Sequence, residues 1–191
     1  MANLLLESSA FTKYFQPEAG SDRVISLVDD PSNQTFVSWL TLVEVHSALV
    51  RRVRMGELTA KEFESVRRNL YAHLRLGRFR IVFWSPRQLW DAISLLLRHG
   101  QNLPLRTLDA LQLAVALDLK AQGLLDFFVC ADETLCQVAE KEGITVVNPA
   151  KTCRYKNSAL LKQATDRLVG FESVQVQQVQ KIMQCLCSEA C

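Results

Sequence analysis

Four carboxylates occupy positions at which an α/β protein commonly carries out chemistry: Glu7, Glu44, Asp109 and Asp132. Glu7 directly ends an apolar strand-like run, and Asp132 lies two residues beyond another. Asp109 falls in the first turn of a predicted helix, and Glu44 falls early in the helix that follows the second strand. Because ligands of open parallel sheets bind beyond the carboxyl ends of the strands, we predict that these four carboxylates gather at that edge.

Each of these acids also has a purely structural interpretation. An acidic side chain in the first turn of a helix is stabilised by the helix dipole, and Asp132 is a good N-cap residue. Helical spacing adds to the argument in two cases, since Glu44 shares an i,i+4 row with Leu40 and Asp109 shares one with Leu113. Both carboxylates would then point along an apolar side, where an unpaired charge is costly. For each acid taken alone, both roles stay open.

A cluster of carboxylates without arginine partners suits a hard divalent cation, Mg²⁺ or Mn²⁺. Four carboxylates at −1 each give −4, so one divalent ion leaves −2 and two leave zero. A phosphodiester substrate, which is itself an anion, favours the two-metal state. Such a site would activate a water molecule for in-line displacement at phosphorus, and no covalent nucleophile would be needed.

The elements that must position these acids alternate between strand-like and helical patterns. We predict strands at residues 3–7, 35–38, 79–83, 126–130 and 144–148, and helices at residues 8–15, 20–29, 40–55, 60–76, 87–99, 108–122 and 132–142. We expect a serine after Glu7 to cap the first helix and Thr107 to cap the helix at 108–122. Thr59 and Glu62 form a capping box. Strands linked by helices predict an α/β fold, a mostly parallel five-stranded sheet with helices on both faces.

The composition is that of a folded protein with one main domain. The chain has 191 residues, of which 49% are hydrophobic and 22% charged, which is enough apolar material for a core. Its formal net charge of +2 does not by itself indicate nucleic-acid binding, so nucleic-acid binding would need a local site. No apolar run reaches the roughly 18 residues of a membrane span, and we expect a cytoplasmic protein with reduced cysteines. A boundary at Pro149 separates a domain at 1–150 from an extension at 151–191, expected to be helical.

Five segments carry a resemblance to a known family. They are Leu6-Glu-Ser-Ser-Ala10 with Lys13, Leu42-Val-Glu-Val-His-Ser-Ala-Leu49, Leu105-Arg-Thr-Leu-Asp-Ala-Leu-Gln-Leu-Ala114, Phe128-Val-Cys-Ala-Asp132 and Val146-Val-Asn-Pro149. Each segment alone is a weak signal, but their order and spacing are specific. Over residues 3–149 the chain resembles the PIN-domain ribonucleases, in particular the VapC-type toxins of prokaryotic toxin–antitoxin pairs.

The resemblance implies a flavodoxin-like sheet, Mg²⁺- or Mn²⁺-dependent endoribonuclease activity, a homodimer and inhibition by a cognate antitoxin protein. Carried over residue by residue, the family's acidic pocket falls on Glu7, Glu44, Asp109 and Asp132, and Ser9 matches a small polar residue that orients the pocket. The expected function is therefore that of a toxin that hydrolyses RNA phosphodiesters at a four-carboxylate site.

One departure from the family pattern keeps an alternative open. The family usually has aspartate where this chain has Glu7, and the extra methylene, roughly 1.5 Å, can displace a metal. The alternative is a catalytically silent PIN module that binds RNA or protein. A phosphatase on a similar sheet is disfavoured, because the first strand ends in a lone acid and lacks a DxD pair.

Two basic residues are candidates for contacts with RNA. Lys13 lies on the helix after Glu7, and Arg51 lies near the end of the third helix. Cations near helix C-termini are often only solvated residues, so Arg51 has that interpretation as well.

Overall fold

The computed structural model describes residues 2–151, and in this part of the chain five strands alternate with seven helices. The strands are β1 (Asn3–Leu6), β2 (Gln34–Ser38), β3 (Arg80–Val82), β4 (Phe127–Val129) and β5 (Val146–Val147). The helices are α1 (Ser8–Phe15), α2 (Ser21–Asp29), α3 (Trp39–Arg54), α4 (Ala60–Arg75), α5 (Pro86–His99), α6 (Thr107–Ala121) and α7 (Glu133–Lys141). Each strand and helix predicted before Pro149 is present. The expected helical extension falls on residues 152–191, outside the described residues.

All strands of the sheet run parallel, in the order β3-β2-β1-β4-β5. Leu6 of the central strand pairs with Val37 of β2 on one side and with Val129 of β4 on the other. The chain winds outward from β1 to β3 and then crosses back to place β4 and β5 on the opposite side. The carboxyl ends of β1 and β4 therefore flank the reversal point, where open parallel sheets leave a crevice for a ligand.

The two faces of the sheet are covered by different helices. On β1, Leu4 and Leu6 pack into one core with residues of α1 to α4, whereas Leu5 packs into the other with residues of α5 to α7. Successive strand residues point to opposite faces, which explains why Leu4, Leu5 and Leu6 are all apolar. The predicted α/β class with helices on both faces is confirmed. The helices within residues 2–151 are all too short or too polar to span a membrane.

Acidic side chains cap two helices for which the sequence predicted other caps. The N-cap of α1 is Glu7 rather than a serine, because its carboxylate folds back to accept the N–H of Ser9 at 2.8 Å. The N-cap of α6 is Arg106 rather than Thr107, because the carboxylate of Asp109 accepts the Arg106 N–H at 3.2 Å and the helix begins one residue earlier. The capping box of Thr59 on α4 is confirmed.

A glycine fixes the contact between the start of α2 and the end of the sheet. Gly20 has a φ of +89°, and a Cβ built there would lie 2.5 Å from the carbonyl oxygen of Pro149. Gly56 has a similar φ of +74°, but a Cβ there would meet no atom within 4 Å. The two glycines therefore separate the effect of backbone conformation from the effect of a steric clash.

We expect Gly20→Ala to lower the free energy of unfolding by at least about 2 kcal/mol, because left-handed strain and a backbone clash add together. Gly56→Ala should lower it less, by about 1–2 kcal/mol, since left-handed strain acts there alone. Urea denaturation of both variants measures the difference. Equal losses would show that the contact with Pro149 relaxes without cost.

Candidate active site

The four acids singled out from the sequence lie at the carboxyl edge of the sheet. Glu7 directly follows β1, and its N–H donates to the carbonyl of Val129 in β4 at 3.0 Å. Asp132 is the N-cap of α7 just beyond β4, Glu44 lies in the second turn of α3 after β2, and Asp109 lies in the first turn of α6. Glu44 acts electrostatically on both Glu7 and Asp109, and Asp132 acts on Asp109. The fold thus links the four carboxylates through three neighbouring pairs: Glu7 with Glu44, Glu44 with Asp109, and Asp109 with Asp132.

Glu7 is the most buried of these acids, with only 5% of its surface exposed. Its Oε2 accepts the N–H of Ser9 at 2.8 Å, the Ser9 hydroxyl, and the thiol of Cys130 at 3.7 Å. Burial raises the pKa of the Glu7 carboxyl above its ordinary value, and the charge of Glu44 raises it further, while the hydrogen bonds from Ser9 lower it. The carboxylate is therefore held in a defined position where its charge is unfavourable.

Ser9 connects the start of α1 to the loop that follows β4. Its hydroxyl donates to Glu7 Oε2 and accepts the N–H of Ala131 at 2.9 Å. One small side chain therefore aligns the Glu7 carboxylate with the backbone that leads to Asp132. The sequence resemblance assigned Ser9 an orienting role, and these are the contacts through which it would act.

Glu44 is held by a buried amide. Gln112 on α6 is only 1% exposed, and its Nε2 lies 2.7 Å from Glu44 Oε2, 2.9 Å from Thr41 Oγ1 and 3.0 Å from Ser8 Oγ. Its Oε1 accepts the hydroxyl of Ser38 at 2.6 Å, and Ser8 also donates to Glu44. This network joins β2, α1 and α3 to α6, and it fixes one oxygen of Glu44.

Gln112 was not identified from the sequence, although a signal for it exists. It is a polar residue inside the otherwise apolar run from Ala110 to Leu117, and it lies three residues after Asp109. Residues three apart share a helix face, so Gln112 had to face the same side as Asp109. A buried polar side chain needs hydrogen-bond partners, and these could come only from neighbouring elements.

Asp109 and Asp132 each use one carboxylate oxygen to cap a helix. Asp109 Oδ2 accepts the Arg106 N–H, and Asp132 Oδ1 accepts the N–H of Leu135 at 2.9 Å. The N-cap interpretation of Asp132 is therefore confirmed. Burial raises the pKa of Asp109, the backbone hydrogen bond lowers it, and the charges of Asp132 and Glu44 raise it. Within residues 2–151 the second oxygen of each aspartate accepts no hydrogen bond.

The negative charge of the site has little internal compensation. None of Glu7, Glu44, Asp109 and Asp132 forms a salt bridge with a described residue, and the basic group that acts on Asp109 is Arg106. In residues 2–151 no three His, Cys, Asp or Glu side chains are arranged as a metal site. The donor set nevertheless fits a hard divalent cation, because it consists of oxygen ligands with excess negative charge. Side-chain rotation would have to complete the coordination.

The two basic residues predicted to bind RNA lie in different environments. Lys13 is buried, and its ammonium pairs with Glu18 at 3.1 Å. Arg51 is exposed on α3, about two helical turns beyond Glu44 and therefore on the same side of that helix. Of the two, Arg51 has the side chain that is open to solvent.

We expect Gln112→Leu to lower the free energy of unfolding by about 1–3 kcal/mol, because Glu44, Ser38 and Thr41 would each lose a buried partner. The matched control is Gln137→Leu on the exposed side of α7, where a change within about 0.5 kcal/mol is expected. Denaturant unfolding measures both. A Gln112→Leu protein as stable as the control would show that the network contributes nothing.

The raised pKa of Glu7 predicts how stability depends on pH. The folded state holds this proton more tightly than the unfolded state, so its stabilising contribution is complete below the ordinary pKa of 4.5 and is lost as pH rises through the folded-state pKa. Glu7→Gln should remove part of this decrease, while Asp109, whose pKa is also raised, keeps the rest.

Urea denaturation over a series of pH values, with chelator present, measures the Glu7 contribution. Glu140→Gln, which removes an exposed carboxylate on α7 that forms no salt bridge with a described residue, is the control and should keep the decrease seen in the wild type. Parallel profiles for wild type and Glu7→Gln would contradict the assignment.

Comparison with known proteins identifies the family. The PIN-domain family model matches residues 4–146, which is more than half of the chain. Among curated protein sequences no match was found.

Solved structures with the same fold include three bacterial proteins. VapC20 of Mycobacterium tuberculosis, a Sarcin-Ricin loop cleaving toxin, is 18% identical with a TM-score of 0.56, over 76% of this chain and 99% of its own. VapBC2 of Rickettsia felis, bound to a DNA fragment from their promoter, is 15% identical with a TM-score of 0.53, over 76% and 97%. FitAcB of Neisseria gonorrhoeae is 18% identical with a TM-score of 0.50, over 76% and 97%.

At these identities the likeness concerns the fold, and it agrees with the parallel sheet described above. The family model is the stronger finding, because it spans every strand from β1 into β5 together with all four acids. The chain belongs to the PIN-domain family.

Proposed function

We propose that this PIN domain is a metal-dependent endoribonuclease that hydrolyses RNA phosphodiesters at Glu7, Glu44, Asp109 and Asp132. The observation that carries the proposal is the repulsion between neighbouring carboxylates of this set at the carboxyl edge of the sheet, with no salt bridge to any of them in the described chain. Such an arrangement costs stability and is expected where a bound cation compensates the charge. Mg²⁺ and Mn²⁺ are the cations that such oxygen donors select.

Some side chains of the site would bind the metal, and others would hold those ligands in position. Asp109 and Asp132 would each offer the oxygen that does not cap a helix, while Ser9 and Gln112 hold Glu7 and Glu44 in place. The metal would neutralise the phosphodiester and supply an activated water for in-line displacement. In this arrangement the protein needs no covalent nucleophile.

The backbone of the RNA would be bound outside this acidic site. Arg51, exposed on the same side of α3 as Glu44, is suited to a phosphate contact. Lys13 could take part only by exchanging Glu18 for a phosphate, because the two side chains are paired.

We further propose that the chain is the toxin of a type II toxin–antitoxin pair, acts in the cytoplasm as a homodimer and is inhibited by a cognate antitoxin protein. This rests on the family and on solved relatives such as VapC20, a Sarcin-Ricin loop cleaving toxin, and VapBC2. A small reading frame beside this gene is expected to encode a protein that binds the chain and suppresses its toxicity on co-expression. If expression of the chain does not slow growth, the toxin assignment fails.

RNA cleavage by the purified protein tests the catalytic proposal. With Mg²⁺ or Mn²⁺ the wild type should cut looped or single-stranded RNA, and chelator should abolish cutting. Asp109→Asn should reduce the rate by about a hundredfold or more, because a charged ligand is lost from the site. Gel analysis of end-labelled RNA measures the rates.

The matched control is Asp118→Asn, which changes an aspartate on the same helix that accepts a hydrogen bond from Gln88, away from the acidic site. It should keep wild-type activity. Equal activity of wild type and Asp109→Asn would sink the four-carboxylate mechanism.

A catalytically silent module is the second candidate, and one observation favours it. Glu7 uses Oε2 to cap α1 and to accept the Ser9 hydroxyl, so its longer side chain is folded back towards its own helix. If the module is silent, the wild type binds metal without cutting RNA, and Glu7→Asp acquires activity. If Glu7 can bind the metal, the wild type is already active, and Glu7→Asp only changes the rate of cleavage.

A further inference from the structure

Each of the four acids leaves one carboxylate oxygen without a hydrogen bond in residues 2–151. Glu7 and Glu44 accept hydrogen bonds through Oε2 alone. Asp109 accepts through Oδ2 and Asp132 through Oδ1. No Lys or Arg of the described chain forms a salt bridge with any of them. A cationic group that reaches this edge of the sheet would therefore find acceptors that nothing else occupies.

The chain leaves the domain at the same edge of the sheet. β5 runs parallel to β4, so the chain passes from it to the carboxyl edge. At Lys151, the last described residue, the carbonyl accepts a hydrogen bond from the Arg23 guanidinium, and the ammonium pairs with Glu133 at 3.0 Å. Glu133 directly follows Asp132 in the chain. The residues after Lys151 therefore start from a fixed point beside one of the four acids.

The sequence that follows Lys151 carries only positive charges. Residues 152–165, which we call the basic segment, contain Arg154, Lys156 and Lys162 and neither Asp nor Glu. The PIN-domain family model ends at residue 146, so the basic segment lies beyond the part of the chain that matches the family. Cations specific to this chain thus begin next to an acidic site that lacks them.

The length of chain is sufficient for a contact. Arg154 and Lys156 follow Lys151 by three and five residues. Extended chain of those lengths spans about 10 and 17 Å, so either side chain can reach Asp132 and the neighbouring Asp109. A short tether also holds a ligand near its site at an effective concentration on the order of millimolar. These cations therefore meet the acids more often than cations of another molecule would.

We propose that the basic segment folds back on its own chain, and that Arg154 and Lys156 pair with the free oxygens of Asp132 and Asp109 while no metal is bound. The contact is autoinhibitory, because a divalent cation must displace it to reach the same oxygens. Its effect on cleavage rests on the proposed ribonuclease function, whereas the contact itself needs only charge and chain connectivity. Because neighbouring acids of the site repel one another, an added positive charge is more favourable here than beside an isolated carboxylate.

The basic segment has two competing ligands: the phosphates of RNA and the acidic site of a second copy of the chain. The chain's own site is favoured, because the segment starts beside Asp132. Cross-linking and metal binding together distinguish the three ligands.

Carbodiimide cross-linking of the full-length, metal-free protein tests the contact, because this reagent joins a lysine amine to a carboxylate that it touches. Mass spectrometry should find Lys156 joined to Asp132 or Asp109, and added Mn²⁺ should remove this product. The cross-link of Lys151 to Glu133 is the internal control and should form with and without Mn²⁺, since these side chains are paired at 3.0 Å. A mixture of isotope-labelled and unlabelled protein shows whether both ends belong to one chain.

The affinity for Mn²⁺, measured from the electron paramagnetic resonance signal of the free ion, is a second readout without RNA. The double variant Arg154→Ala, Lys156→Ala should bind Mn²⁺ about three- to tenfold more tightly than the wild type, because two competing ion pairs are removed. Lys141→Ala is the matched control and should bind Mn²⁺ like the wild type. Lys141 is exposed at the end of α7 far from Asp132 and forms no salt bridge with a described residue. Thermal denaturation shows whether each variant is folded.

Three results would overturn the proposal: no cross-link from the basic segment to any of the four acids while the control cross-link forms, cross-links only between labelled and unlabelled chains, or equal Mn²⁺ affinity of the double variant and the wild type. Weaker RNA binding by the double variant at unchanged Mn²⁺ affinity would assign the segment to RNA instead.

The autoinhibitory contact and the nuclease can fail separately. A wild type that shows the cross-link but cuts no RNA would refute the nuclease and keep the contact. Cleavage by a wild type that shows no such cross-link would refute only the contact. If both hold, the double variant should cut RNA at a lower Mn²⁺ concentration than the wild type.

Discussion

Like-charge repulsion at the carboxyl edge of the sheet is the constraint on which the candidate site depends. Glu7 is buried where β1 meets β4 and is acted on by the charge of Glu44, and Asp109 is acted on by both Glu44 and Asp132. Carboxylates in this arrangement are costly unless they are protonated, hydrogen-bonded or neutralised. The fold supplies hydrogen bonds from serine and glutamine side chains but, within residues 2–151, no salt bridge. The charge that remains is what a divalent cation would neutralise.

Helix N-termini reduce the cost of this charge. Glu7 and Asp132 are the N-caps of α1 and α7, and Asp109 lies in the first turn of α6. Free N–H groups and the helix dipole stabilise anions at these positions. The structural interpretation of each acid and its ligand-binding interpretation are therefore compatible, since one carboxylate oxygen caps the helix and the other is available to the site. The same backbone geometry makes the helices stable and directs carboxylates to one edge of the sheet.

Particular residues show where the sequence was sufficient. The strand β1 was predicted because Leu4, Leu5 and Leu6 are all apolar, and both faces of that strand are buried. The capping box of Thr59 was predicted because its partners lie within one turn. The caps of α1 and α6 were wrong for a related reason: Glu7 and Asp109 compete successfully for N–H groups that serine or threonine could have taken.

Contacts between distant segments were harder to predict. The pairing of Lys13 with Glu18 depends on how the chain turns after α1, which the helical pattern does not contain. Gln112 appeared as a single polar residue in an apolar helix, but its four partners come from β2, α1 and α3. Trp39 and Phe83 are separated by two helices in the chain and meet only because β2 and β3 are neighbours in the sheet.

By itself, the sequence determined the α/β class, the order of strands and helices along the chain, and the placement of the acids near strand ends, because all of these follow from hydrophobic periods and local capping chemistry. Only the tertiary structure decided the order of strands across the sheet, the reversal between β1 and β4, the hydrogen bonds of Gln112 to Glu44 and the stacking of Trp39 on Phe83. Those features depend on which crossover places which strand beside which, and that choice is made by packing between segments far apart in the chain.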